Sequence, residues 1–295
     1  MPWAAQRQWE EDSDMSFAVN DGARLYWRES GSGDPLLLIM GLGYSSGMWH
    51  HIESDLAEHF RVIVFDNRGI GRSEAPPGPI PITEMAEDAV AVLDAAGVES
   101  AFVFGLSMGG IIAQELALQY PRRVRALILG ATVCGGSHVV QAKPEVREAL
   151  TSRARLPVEQ GIRVMFPYIY DVSTPAARIE ADVVVRRADF PDPDVYLRQL
   201  EGIRQWQSCD RLHDMVSPTL ILHGEHDELV PPANAHLLAQ HIKPSRLCMI
   251  PNASHVFTTD TPDRTVQLIV EFLHGSLESD RAQPGESLGT GEKGQ

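Results

Sequence analysis

Gly105-Leu106-Ser107-Met108-Gly109-Gly110 stands between an apolar run, Ala101–Phe104, and a helical one, Ile111–Gln119. Strand, sharp turn and helix in that order are the setting that a G-x-S-x-G nucleophile elbow requires. Glycines two before and two after the serine let the backbone turn tightly and keep neighbouring side chains away. The serine is then presented at the N-terminus of a helix, where partial positive charge favours a developing anion. A Gly-rich turn that merely joins strand to helix is the plain alternative, and the rest of the chain has to decide between them.

Outward from the elbow, short apolar runs alternate with helical patterns. Leu36–Met40, Val62–Asp66, Ala126–Leu129, Thr219–His223 and Leu247–Ile250 read as buried strands bounded by Gly, Pro, Asp or His, and Arg24–Arg28 as a half-exposed strand before them. Thr83–Ala95, Met108–Gln119 and Arg264–Leu273 carry apolar residues at helical spacing, the first with Thr83 as its N-cap. Such alternation predicts an α/β fold, a doubly wound, mainly parallel sheet covered on both faces. Residues 135–215 break the rhythm. They hold six prolines (Pro144, Pro157, Pro167, Pro175, Pro191, Pro193), amphipathic pieces such as Val146–Ala154 and Val195–Trp206, and no buried strand. This stretch reads as a helical cap inserted between two core strands.

The expected organisation is therefore a core over 16–134 and 216–274, the cap over 135–215, a flexible extension over 1–15 with Met15 as an alternative start, and a disordered tail over 275–295. The 295 residues are 43% hydrophobic, enough for a substantial core, and no run approaches the roughly 20 apolar residues that span a bilayer. The formal charge of −15, of which the two ends carry −3 and −2, argues against a nucleic-acid partner. The N-terminus lacks the basic start and apolar stretch of a secretory signal, so a cytoplasmic location is expected. Cys134, Cys209 and Cys248 are odd in number and far apart, and read as buried free thiols. The sequence leaves open whether the chain forms a homo-oligomer.

A serine hydroxyl is a weak nucleophile until a base takes its proton. Eleven histidines offer themselves, and chain order narrows the choice, because the elbow architecture places its partners as Ser, then Asp or Glu, then His. Asp227 in Leu222-His223-Gly224-Glu225-His226-Asp227 and His255 in Ile250-Pro251-Asn252-Ala253-Ser254-His255 each follow a candidate strand. Both thus fall at strand C-termini, where open α/β sheets build their sites. Ser107, Asp227 and His255 are the expected catalytic residues. The expected oxyanion donors are the backbone N–H groups of Met108 and of Leu42, the latter in Met40-Gly41-Leu42-Gly43 after a strand. In the cap, Phe166, Tyr168 and Tyr170 form the most aromatic stretch, and with Trp206 and Trp49 they are candidates to cover the serine as an apolar substrate pocket. Arg153, Arg163, Arg186, Arg187 and Arg204 are alternatives for receiving a substrate carboxylate, most of them read as solvated helix faces.

These motifs together resemble the α/β-hydrolase family, and within it the cap-bearing bacterial hydrolases of the carboxylesterase and 3-oxoadipate enol-lactonase type. The resemblance runs from about Ser16 to Leu273 and includes Asp66-Asn67-Arg68-Gly69-Ile70-Gly71-Arg72-Ser73, which matches the family's D-x-R-G-x-G-x-S loop. There Asp66 and Arg68 are expected to pair and brace the turn. Met40 departs from the histidine that often opens the oxyanion segment. The resemblance implies a serine hydrolase acting on a carboxylic ester or lactone of a small, largely apolar molecule, with no cofactor and no membrane partner. A carbon–carbon bond hydrolase or cofactor-free perhydrolase on the same triad is the alternative, and a non-catalytic ligand receptor is a more distant one. Ser107 argues against epoxide hydrolases and dehalogenases, which carry aspartate at the elbow. His223, His226 and Asp227 crowd together but lack a further well-placed ligand for zinc, so no metal is expected. No G-x-G-x-x-G opens a helix after the first strand, which leaves dinucleotide chemistry without support.

Overall fold

The computed structural model describes residues 15–243 and 245–282. In chain order the elements are β1 (Ser16–Asn20), β2 (Ala23–Ser30), β3 (Pro35–Ile39), α1 (Glu53–Ala57), β4 (Arg61–Phe65), α2 (Ile82–Ala95), β5 (Ala101–Leu106), α3 (Met108–Gln119) and β6 (Val124–Gly130). Helices α4 (Pro144–Ser152), α5 (Val158–Arg163), α6 (Phe166–Ile169), α7 (Ala176–Ala188) and α8 (Pro193–Gln205) follow. The chain then returns through β7 (Thr219–Gly224), α9 (Ala233–His241), β8 (Ser245–Ile250), α10 (Phe257–Asp260) and α11 (Pro262–Ala282).

The strands form one eight-stranded sheet in the order β1-β2-β4-β3-β5-β6-β7-β8. Only the β1–β2 and β2–β4 pairings are antiparallel. The chain is therefore a mostly parallel α/β sheet of the expected class, with β1 as an additional edge strand. Strand residues alternate between two cores: Leu37 and Ile39 of β3 pack with α2, α3 and α9, while Leu36 and Leu38 pack with α1 and α11. A sheet buried on both faces needs apolar residues at nearly every position, which is why these strands read as continuous runs.

Several details differ from the sequence reading. Helix α2 starts at Ile82 with Pro81 in the N-cap position and no side-chain cap, so Thr83 lies inside the helix; proline's fixed φ serves the entry instead. Helix α11 continues to Ala282, eight residues into the expected tail, because Leu273 and Leu277 extend the apolar stripe onto the core. The remainder of that tail, and residues 1–14 of the expected extension, lie outside the described residues. Cys134 and Cys209 are joined as a disulfide with Cα atoms 5.0 Å apart, so of the three expected free thiols only Cys248 remains one. The reason is topological. The two cysteines mark the points where the chain leaves and rejoins the core around α4–α8, and Ser208 N–H donates to Cys134 O at 2.7 Å beside them. None of the described helices is long and apolar enough to cross a membrane.

Candidate active site

Ser107 sits between β5 and α3 with φ 58° and ψ −118°. A non-glycine residue adopts that conformation only when its surroundings impose it. Two glycines allow it here: a Cβ at Gly105 would lie 2.1 Å from the carbonyl oxygen of Gly109, and one at Gly109 would lie 1.9 Å from that of Ile39. The backbone is held from outside as well, since Ser107 N–H donates to Gly130 O at 2.8 Å and the Thr132 hydroxyl donates to Ser107 O at 2.7 Å. The turn aims the side chain into a cavity of about 140 Å³ above the C-terminal edge of the sheet.

His255 lines the same cavity. Its Nδ1 lies 2.9 Å from Oδ2 of Asp227, and both residues are buried. The loops that carry them are tied to one another: His226 N–H donates to Ala253 O at 2.9 Å, and the Ser254 hydroxyl donates to His226 O at 3.2 Å. The other carboxylate oxygen of Asp227 accepts the N–H groups of Leu229 and Val230 at 2.9 and 2.8 Å. Burial alone would push this carboxyl up. His255 and His223 outweigh it and bring the pKa down to about 2, so the group stays ionised at neutral pH. His223 was not singled out for this place. Its signal in the sequence is a position on β7 four residues before Asp227, and its Nε2 reaches Asp227 Oδ2 at 3.2 Å.

Leu42 and Met108 line the cavity beside Ser107, and among the described residues no acceptor takes up the N–H of either. Two unpaired donors next to a serine hydroxyl are what a developing oxyanion requires. The loop that bears Leu42 is braced although Met40 replaces the family's histidine. Asn67 Nδ2 donates to Met40 O at 2.8 Å, and Gly43 N–H donates to Gln199 Oε1 of α8 at 3.2 Å. Asp66 does not pair with Arg68. Its carboxylate accepts the Ser46 N–H and hydroxyl and the Arg72 N–H, whereas Arg68 forms ion pairs with Asp88 and Glu84 on α2. The tight turn between them sends the two side chains in opposite directions.

The walls of the cavity are aliphatic. Leu150, Met165, Ile169, Leu200 and Ile203 descend from α4–α8. None of the expected aromatic residues lines it, and each has a structural occupation instead. Trp49 is fully buried against Phe104 beneath the sheet. Trp206 donates its indole N–H to Glu115 at 2.7 Å, and Tyr170 donates its hydroxyl to Asp182 at 2.7 Å. Phe166 packs edge-on against Tyr170, and Tyr168 is half-buried in the same small cluster. The polar tips of Trp206 and Tyr170 find their partners away from the cavity, which is left mostly to aliphatic side chains. Tyr44, two residues past Leu42, is the aromatic residue that does face it, with Thr132 and Thr258 adding hydroxyls. Nor are the arginines uniformly solvated, since Arg153 and Arg186 are both buried.

The model of a family described as serine aminopeptidase, S33, matches residues 34–262. A protein named carbamate hydrolase RutD from Azorhizobium caulinodans is 35% identical over 265 residues, covering 88% of this chain and 98% of that protein. A pimeloyl-acyl-carrier-protein methyl ester esterase from Yersinia enterocolitica is 32% identical, covering 86% of this chain and 98% of that protein. Among solved structures, an enol-lactonase from Burkholderia xenovorans superposes with a TM-score of 0.78 at 27% identity, covering 88% of this chain and all of that one. A thermophilic esterase from Thermogutta terrifontis gives 0.77 at 28% identity, covering 89% of this chain and 98% of that one.

Proposed function

This chain belongs to the serine aminopeptidase S33 family of α/β hydrolases, and we propose that it cleaves a carboxylic ester or lactone of a small, largely apolar molecule through an acyl-enzyme. The observation that carries this reading is the convergence of Ser107 and His255 on one cavity, with Asp227 fixed behind the imidazole at 2.9 Å.

With Asp227 accepting the Nδ1 proton, His255 is held as the tautomer whose Nε2 is a base. It takes the proton of Ser107 as the hydroxyl oxygen attacks the substrate carbonyl. The carbonyl oxygen gains the negative charge and receives the N–H groups of Leu42 and Met108. Collapse of the tetrahedral species breaks the bond to the leaving oxygen, which takes the proton from His255. Water then repeats the sequence: it loses a proton to His255, attacks the acyl carbonyl and releases the acid, and Ser107 recovers its hydroxyl proton. No cofactor enters these steps. The aliphatic walls support a substrate with a short apolar body.

The test is turnover of short-chain aryl esters by the protein and by Ser107→Ala. The wild type should cleave them, and the variant should lose roughly three or more orders of magnitude in kcat. Undiminished activity in the variant would overturn the reading. A small aryl carbamate, a lactone and a vinylogous diketone in the same panel rank the ester reading against carbamate and carbon–carbon cleavage at this site.

A further inference from the structure

Two guanidinium groups lie buried where the helical insertion meets the oxyanion loop, and neither makes a hydrogen bond to a carboxylate. Arg186 of α7 has none of its three nitrogens in a hydrogen bond. Its nearest carboxylate oxygen, Asp182 Oδ2, is 3.8 Å away. Asp182 is already saturated: it accepts from His50 at 2.9 Å, His51 at 3.1 Å, Tyr170 at 2.7 Å and Thr259 at 2.8 Å. Arg153 has no carboxylate in ion-pair range among the described residues, and its Nε is buried without an acceptor. Asp182 is thus the one carboxylate in ion-pair range of the two buried guanidinium groups among the described residues, and a buried excess of positive charge is costly and calls for a further counter-charge.

Tyr44 connects this pair to the cavity. The guanidinium carbons of Arg186 and Arg153 stand 4.6 and 5.0 Å from the centre of its ring, and Arg153 Nη1 donates to its hydroxyl oxygen at 3.1 Å. The phenolic proton has no acceptor among the described residues, and Tyr44 lines the same cavity as Ser107 and His255. Burial pushes the phenol pKa up, but the two arginines more than offset this and hold it below its ordinary value. A phenol so polarised is a strong hydrogen-bond donor in a largely aliphatic chamber.

We propose that Tyr44, backed by Arg153 and Arg186, recognises a carboxylate carried by the substrate apart from its scissile carbonyl. The inference rests on the ester-hydrolase reading and narrows it: the substrate has an apolar body and one anionic end. The carboxylate accepts a hydrogen bond from the Tyr44 hydroxyl and adds a second negative charge beside the guanidinium pair, which Asp182 alone otherwise faces. The aliphatic walls hold the body between that end and Ser107.

The test uses two matched pairs of esters. In the acyl-side pair, 4-nitrophenyl hydrogen glutarate is compared with its methyl ester. In the alcohol-side pair, 4-acetoxybenzoate is compared with its methyl ester. The wild type should favour the anionic member of at least one pair by about tenfold in kcat/KM, the scale of one charge-assisted hydrogen bond. Tyr44→Phe and Arg153→Met should bring that ratio close to one. Arg153→Met removes a buried unpaired charge while keeping an apolar stem, a change that folded proteins accept. Preference for the neutral member in both pairs, or a ratio that survives both variants, would overturn the proposal.

A reading without turnover separates this from the hydrolase assignment. Monomethyl glutarate should raise the thermal midpoint of the wild type more than dimethyl glutarate does, and the difference should vanish in Arg153→Met. Anion-specific binding without ester cleavage would sink the ester reading and leave the Tyr44 site standing. Cleavage without anion preference would do the reverse.

Discussion

Asp227 Oδ2 serves two imidazoles: His223 Nε2 lies 3.2 Å from the oxygen that His255 Nδ1 reaches at 2.9 Å. His223 Nε2 also lies 2.8 Å from Val230 O, which fixes its proton on that nitrogen. The second histidine therefore shares its one Nε2 proton between Val230 O and the carboxylate, and limits how far Asp227 can turn. His223 acts through Asp227 and touches no reacting atom. On this account His223→Leu lowers kcat/KM for an aryl ester by about tenfold, the cost of one hydrogen bond to a charged group. Asp227→Asn, which lets the imidazole take the wrong tautomer, lowers it by about 10⁴. Losses of equal size in steady-state assays of the two variants would contradict this division of roles.

The strained backbone at Ser107 makes a prediction about stability that is independent of chemistry. At φ 58° and ψ −118° a side chain is strained and glycine is not. Ser107→Gly should be more stable than Ser107→Ala by about 1 kcal/mol in denaturant unfolding, with both variants inactive. An alanine variant as stable as the glycine one would mean that the elbow stores no strain.

Asp260 gives a pH dependence with a definite sign. It accepts from the Thr174 hydroxyl at 2.6 Å and from Ser254 N–H at 2.7 Å, so it ties the stretch before α7 to the His255 loop. Burial pushes its pKa up to about 6. In the unfolded chain the same carboxyl ionises near pH 4. Between those values the native state binds more protons than the unfolded state, so this group's contribution to stability falls as pH rises from about 4 to 6. Asp260→Asn loses a hydrogen bond at every pH but escapes the titration. Its stability relative to the wild type should therefore improve by about 2 kcal/mol between pH 4 and pH 7. A difference that stays constant across that range would show that the carboxyl is not perturbed.

How much of this was legible in the sequence depends on whether a feature is local or assembled. The elbow is local: glycines at 105 and 109 are demanded by backbone contacts near 2 Å, so the pattern reports the turn directly. The placement of Asp227 and His255 at one edge was legible because each follows a buried strand, and parallel strands deliver their C-terminal loops to the same edge. The strands themselves were legible because burial on both faces leaves an unbroken apolar run. The cavity wall was not. An aromatic stretch such as Phe166–Tyr170 announces burial but not which neighbour it is buried against, and Tyr170 turned to Asp182. Which arginines are buried was not legible either: Arg153, just past α4, and Arg186, on α7, are buried, and no pattern distinguishes the buried side of an amphipathic helix from the solvated one. The Cys134–Cys209 bond, 75 residues apart, depended on the two ends of the insertion meeting.

The central claim is that Ser107 is the nucleophile, and one measurement addresses it most directly. The native protein is treated with an aryl organophosphonate, its intact mass is recorded, and the adduct is located by peptide mapping. The account predicts one phosphonyl group per chain, on Ser107, with ester turnover lost in proportion to labelling and labelling slowed in Asp227→Asn. Adduct on another residue, or full labelling of Ser107 with turnover unchanged, would contradict it.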